Sequence, residues 1–174
     1  MTQFATASGG VIDTVYGYDP RPDVDAFAVG DDVYPGMVQD GGAWVVPPTP
    51  LADLKATKVV ALTAACAAAI VGGFASDALG APHTYPSKPT DQTNLMGSVV
   101  DSMLLSSGPG WTTPFWCAAA DGVWACRPHG IAEIQAAGAA GKAHVVACQS
   151  RLAELVALVD LAETAADLAT IEWA

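Results

Sequence analysis

A chain of 174 residues has room for one domain of ordinary size and an appendage. Its 18 acidic residues outweigh 7 scattered Lys and Arg, giving a formal net charge of −11. That balance argues against a nucleic-acid partner, which needs clustered cations to neutralise phosphates. Hydrophobic residues make up 52%, much of it alanine.

Residues 1–46 read as a small β-rich, acidic module. Asp13, Asp19, Asp23, Asp25, Asp31, Asp32 and Asp40 stand against the single Arg21. A solvated, self-repelling face is the simpler meaning of such a run, with a docking or cation-binding strip as the alternative. Val11 to Tyr18 holds β-formers. Val33 to Val38 and Ala43 to Val46 are expected to pair around Asp40-Gly41-Gly42, a good hairpin turn. Tyr34 and Trp44 are the candidate partner-binding anchors of this module. The N-terminus lacks a basic region followed by an apolar run, so no signal peptide is expected. Pro47-Pro48-Thr49-Pro50 reads as a stiff linker and sets the domain boundary at residues 47–50.

A helix is expected from Leu51 to about Val71, stopped by Gly72-Gly73. Its uncharged stretch, Val59 to Phe74, is shorter than the about 18–20 residues of a membrane span and is mostly small residues, so a buried helix is expected and no membrane contact. Residues 73–90 read as irregular or short-stranded. Thr90 is placed to cap a second helix running to about Leu105, with Asp91 in its first turn. Ser106 to Gly110 is a loop.

A hairpin follows at residues 114–127. Asp121-Gly122 as a two-residue turn sets Cys117 opposite Cys126 and Trp116 opposite Arg127. Phe115, Cys117, Trp124 and Cys126 then share one face, expected to be buried. Trp116 and Arg127 become a cation–π pair on the outer face and, with Tyr34 and Trp44, candidate partner contacts.

A long helix is expected from about Ile131 to Leu161. Ile131, Ile134, Gly138, Gly141, Val145, Cys148, Leu152, Leu155 and Val159 alternate three and four apart, the rule for a coiled-coil-like seam. That seam packs either between copies, as in a trimer, or within one chain on the Leu51–Val71 helix. A short helix from Thr164 to about Ile171 closes the chain. The expected fold class is α+β: a helical domain at 51–174 with an inserted β-hairpin, preceded by a small β-rich N-terminal module. Its core is expected to hold Leu54, Leu62, Ile70, Phe74, Leu95, Val99, Phe115, Trp124, Val145, Leu152, Leu155 and Trp173.

Gly73-Phe74-Ala75-Ser76-Asp77-Ala78-Leu79-Gly80, His83-Thr84-Tyr85-Pro86 and Thr90-Asp91-Gln92-Thr93-Asn94-Leu95 form an unusually specific string. With Trp111 to Cys117, Trp124 and Gly141-Lys142-Ala143, it resembles a bacteriophage tail-associated domain of unknown function found in tail-fibre, baseplate and tail-fibre-assembly proteins. The resemblance covers about residues 51–174 and brings no catalytic residues with it. It implies a non-enzymatic structural protein of the virion tail, made in the host cytoplasm, with other tail proteins as partners. The alternative is an assembly chaperone that binds the fibre during folding.

Chemistry beyond contact finds little footing. Cys66, Cys117, Cys126 and Cys148 lack the short paired spacing of zinc sites, so neither metal nor cofactor is expected. Cys117 and Cys126, facing each other in the expected register, are expected to be free thiols in a reducing cytoplasm, with a strained disulfide as the alternative. His83, Tyr85, Asp91, Gln92 and Asn94 read as a polar network fixing a loop, with an acid/base site as the alternative. His129 is expected to cap the long helix, and His144 to be exposed. No pair of carboxylates is positioned for glycan hydrolysis.

Overall fold

The computed structural model describes residues 3–18, 20, 24–104 and 108–173. Asp19, Arg21 and Asp23 of the acidic run, Leu105 at the expected end of the second helix, and Ser106 at the start of the following loop lie outside them. The chain divides into two compact units, Met1–Pro50 and Leu51–Ala174.

In the first unit, β1 (Gln3–Ser8) and β2 (Val11–Tyr16) pair across Gly9-Gly10. β3 (Phe27–Val29), β4 (Val38–Asp40) and β5 (Ala43–Val45) complete an antiparallel sheet ordered β3-β1-β2-β4-β5. β4 and β5 turn at Gly41-Gly42, with Asp40 opposite Ala43. A register shift between Thr6 and Ala7 marks a bulge, which sharpens strand twist. The sheet curls into a half-barrel, and its two outer strands meet: Phe27 stacks on Trp44 at 5.7 Å and 16°. Ala5, Ile12, Val33 and Met37 fill the concave side. Residues 33–37 form no strand; the loop is tied to β2 through Ile12 N–H to Met37 O and Gly36 N–H to Ile12 O.

The second unit runs α1 (Leu51–Val71), β6 (Phe74–Ser76), β7 (His83–Tyr85), α2 (Pro89–Ser102), β8 (Thr112–Ala118), β9 (Trp124–Gly130), α3 (Ile131–Leu161) and α4 (Ala165–Ala169). Its four strands form one antiparallel sheet, ordered β6-β7-β8-β9. The expected helical domain with an inserted hairpin is therefore corrected. The first unit carries a curled five-stranded sheet, and β8 and β9 are half of a second sheet rather than an insertion. The Pro-dense segment between α1 and α2 supplies the other half. Gly73 makes that possible: at φ +103°, a Cβ there would meet the Tyr85 carbonyl at 2.8 Å. The chain can thus leave α1 and pair at once, Phe74 opposite Tyr85.

The hairpin register also differs from expectation, by one residue. Cys117 pairs with Ala125, Trp116 with Cys126 and Phe115 with Arg127. The loop has three residues, not two: Gly122 N–H donates to Ala119 O, and Gly122 takes φ +78°. Asp-Gly thus occupies the last two loop positions, a type I turn closed by a left-handed glycine. A one-residue slip moves every side chain of one strand to the other face. Cys117 is buried and Cys126 exposed, Trp124 is 48% exposed instead of core, and Trp116 and Arg127 lie on opposite faces.

Two cores lie in this unit. Phe74, Tyr85, Leu95, Phe115, Cys117, Ile134 and Ala137 pack between sheet and helices. Leu62, Leu155, Val159, Ala162, Leu168 and Ile171 join α1, α3 and α4. The three-and-four seam of α3 is occupied within the chain. A Cβ at Gly138 would stand 2.6 Å from Val99 of α2, and one at Gly141 would stand 3.0 Å from the Phe74 ring. Asp167 accepts from the Glu163 and Thr164 N–H groups and starts α4. Hydrogen bonds from Thr164, side chain then backbone, and from Glu163 hold its carboxyl below the usual carboxylate range.

α1 departs from the expected buried helix. Of its 21 residues only Leu62 and Cys66 are buried. Its length and mean hydropathy of 1.7 are compatible with a bilayer span by composition alone. One side packs on α3 and α4, and the other shows Ala56, Val60, Ala64, Ala67 and Val71 to solvent.

Candidate functional site

The titratable side chains singled out by their motif are held inside the second unit. β7 alternates, so Tyr85 points to the core while Thr84 points away. The Tyr85 hydroxyl lies 2.9 Å from His129 Nε2, and His129 Nδ1 lies 3.0 Å from the Arg127 carbonyl. A carbonyl only accepts, so Nδ1 carries the proton and the tyrosine donates to Nε2. Burial, and then the neighbouring Cys117 thiol, push the Tyr85 hydroxyl well above the usual tyrosine range. Tyr85, His129 and Cys117 are all fully buried. His129 therefore belongs to β9 and the core, not to the cap of α3. That helix begins at Gly130, whose N–H donates to Glu133 at 2.7 Å.

His144 is half-buried rather than exposed. Its Nε2 lies 3.0 Å from the Ala69 carbonyl in the last turn of α1, where no cation of α1's own stands. The same nitrogen lies 3.8 Å from Cys148 Sγ. Since it donates to a carbonyl, it has no lone pair left to take the thiol proton. Burial, and then the Cys66 thiol, push the Cys148 thiol up, which makes it a poor nucleophile. His83, by contrast, only closes its own loop, Nδ1 to the Ala81 carbonyl at 2.8 Å. Asp91 accepts from Lys88 N–H at 3.0 Å, and Gln92 donates to the Ser87 carbonyl at 2.8 Å. The helix thus starts at Lys88-Pro89, with its cap two residues before the expected Thr90.

The expected contact residues fall in separate places. In the first unit, Tyr34 is 49% exposed on the loop before β4, while Trp44 is committed to Phe27. In the second, Arg127 turns inward and donates to the Cys117 carbonyl, with longer contacts to the Ala125 and Val123 carbonyls. It ties the hairpin together instead of pairing with Trp116. Trp116 is 55% exposed.

Two surface depressions flank α2. One, of about 530 Å³, lies between α2 and α3 and is mostly apolar, with Met96, Val99, Val100 and Val145 among its walls. The other, of about 450 Å³, lies between α2 and β8. It is lined by the Thr113–Trp116 stretch of β8 and, from the helix, by Asp91, Asn94, Ser98 and Asp101. These four are spaced i, i+3, i+7 and i+10, so they share one helical face. The helical period alone places these four on one face, but not beside β8, because that neighbour is set by the sheet. Among the described residues no group of three or more His, Cys, Asp or Glu is placed to hold a metal ion.

The second unit is a four-stranded antiparallel sheet backed by helices, with Tyr85, Cys117 and His129 buried in it. Residues 53–172 match the family described as Domain of unknown function (DUF4376), and the chain belongs to that family. No curated protein and no solved structure matches it.

Proposed function

We propose that this chain is a non-enzymatic structural component of a bacteriophage tail, at the baseplate or fibre attachment, acting through protein–protein contacts. The likeness of its Gly73–Leu95 string to phage tail-associated domains supplies the setting. The observation that carries the contact role is the contrast between core and surface. The distinctive side chains Phe74, Tyr85, Leu95, Phe115 and His129 are spent on internal packing. The surface keeps an apolar row along α2: Met96, Val100 and, at its C-terminus, Met103 are spaced i, i+4 and i+7 and are all more than half exposed. Other tail proteins are the partners, and virion tail is the location. A trimer remains compatible through the open face of α1, since the α3 seam is already occupied.

Mass spectrometry of purified, DNA-filled particles tests this. The chain is expected there in a multiple of three or six copies. Clean absence from infectious particles that nonetheless require the chain for their assembly would replace the structural role with that of a fibre-assembly chaperone.

A further inference from the structure

The second sheet has helices on one face only. Its inner side chains, Phe74, Tyr85, Phe115 and Cys117, meet α2 and α3 in the core. Strand pairing then fixes what the other face shows, because directly opposed residues point the same way. Ala75, Thr84, Ala118 and Trp124 form one row across all four strands. Farther along β8 and β9, Trp116 stands beside Cys126, and Pro114 beside Pro128. All of these except Ala118 are exposed.

That outer face carries no charge. Arg127, the one Lys, Arg, Asp or Glu of β8 and β9, turns to the other side and is held by backbone carbonyls. Its two indoles are also uncommitted. Trp116 and Trp124 are each about half exposed. Among the described residues neither ring meets another aromatic ring, and neither indole N–H has an acceptor. Trp44, by contrast, is stacked on Phe27. Trp116 stands diagonal to Trp124 across the hairpin, which sets their Cα atoms about 7–8 Å apart. Hydrogen bonding on this face is one-sided. The indoles only donate, and no carboxylate or carboxamide joins them; the Thr84 and Thr112 hydroxyls and the Cys126 thiol are the remaining polar groups.

We propose that this face binds a proline-rich segment of a partner chain in the polyproline-II conformation. Such a segment makes no internal hydrogen bonds, so its carbonyls are free acceptors for the indole donors. Its prolines have no N–H and ask for no acceptor in return. Pyrrolidine rings pack on exposed aromatic side chains, and the stiff chain loses little entropy on docking. The lengths agree: the seven residues of β8 cover about 23 Å, and about seven residues of polyproline II cover about 22 Å. A second copy of the chain is the competing occupant. Two strands of three residues and two of seven, about 4.8 Å apart, give a footprint of roughly 300 Å². A stable interface needs about 800 Å² per partner, so the face suits a peptide better than a protomer. A neutral saccharide fits less well, since its hydroxyl rim needs acceptors as well as donors. None of this chemistry depends on where the chain sits in a particle.

The test uses the full chain in reducing buffer, because the exposed Cys126 thiol could otherwise link copies. Decaproline and three tandem repeats of Pro-Pro-Thr-Pro are titrated by calorimetry and by proton–nitrogen NMR, beside a Gly-Ser decapeptide and cellotetraose. Both proline peptides are expected to bind and to shift two of the five indole N–H resonances, the two that Trp116→Ala and Trp124→Ala remove. Each of those variants is expected to weaken binding tenfold or more while the thermal midpoint holds, since both side chains are half exposed. Trp116→Phe, which keeps a ring and loses the donor, is expected to fall between. Silence of both proline peptides overturns the proposal. So does binding that shifts neither indole, binding that both alanine variants leave intact, or equally tight binding of cellotetraose or the Gly-Ser peptide. Self-association in sedimentation that Trp116→Ala dissolves, with no response to the proline peptides, would make the face an interface between copies and overturn it as well.

Discussion

Tyr85 shows how much one side chain can organise. Its ring stacks on Phe74 at 5.4 Å and Phe115 at 6.3 Å, and its hydroxyl serves His129. Removing that hydroxyl in Tyr85→Phe leaves a buried imidazole nitrogen without a donor, a loss of about 1–3 kcal/mol, readable in a urea melt. The same residue sets an alkaline limit. A tyrosine in the unfolded chain ionises near pH ~10, while burial holds the folded phenol protonated beyond that. Its contribution is complete below the unfolded value and is lost as pH rises toward the folded one. Wild type should lose stability above about pH 10 more steeply than Tyr85→Phe, measured as the shift in denaturation midpoint. Gly73 is the other decisive residue. Gly73→Ala combines a left-handed backbone with contact on the Tyr85 carbonyl, so about 3 kcal/mol of stability should go. An unchanged midpoint would show that β6 does not need to leave α1 so sharply.

At the scale of elements, α3 is the common wall. Its first half carries Ile134 and Ala137 to the sheet core, and its second half carries Leu155 and Val159 to the α1–α4 core. Leu155→Ala should therefore cost about 2–5 kcal/mol, because three helices meet there and cannot all close on the cavity. Thermal melting of the variant checks this, and a loss within experimental error would mean that α4 collapses into the space. The hairpin carries the main lesson about legibility. Strand positions near 114–127 could be read from composition, but the register rested on a turn type. Asp-Gly fits a two-residue turn and the end of a three-residue one equally well locally. The choice fell to the sheet, which buries Phe115, Cys117 and His129 on one face. The Trp116–Arg127 pair and the Cys117–Cys126 pair vanish with that single step.

For the molecule as a whole, each unit has a core of its own. Ala5, Ile12, Val33 and Met37 serve the first, and the two larger clusters serve the second. Residues 51–174, expressed alone, should fold cooperatively with the thermal midpoint they show in the full chain. Circular dichroism melts of both would decide it, and a molten 51–174 fragment would mean that the first unit is part of its stability. Chain order, the long helices over Leu51–Val71 and Ile131–Leu161, the Gly41-Gly42 turn and the acidic, cation-poor surface were all legible in the amino acids alone, because helix period, caps and charge are local properties. The four-stranded sheet, the burial of His129, the half-exposed state of α1 and the groove between α2 and β8 were settled only by tertiary structure. Each depends on which strand lies beside which, and on a one-residue register, which residues far apart in the chain decide together.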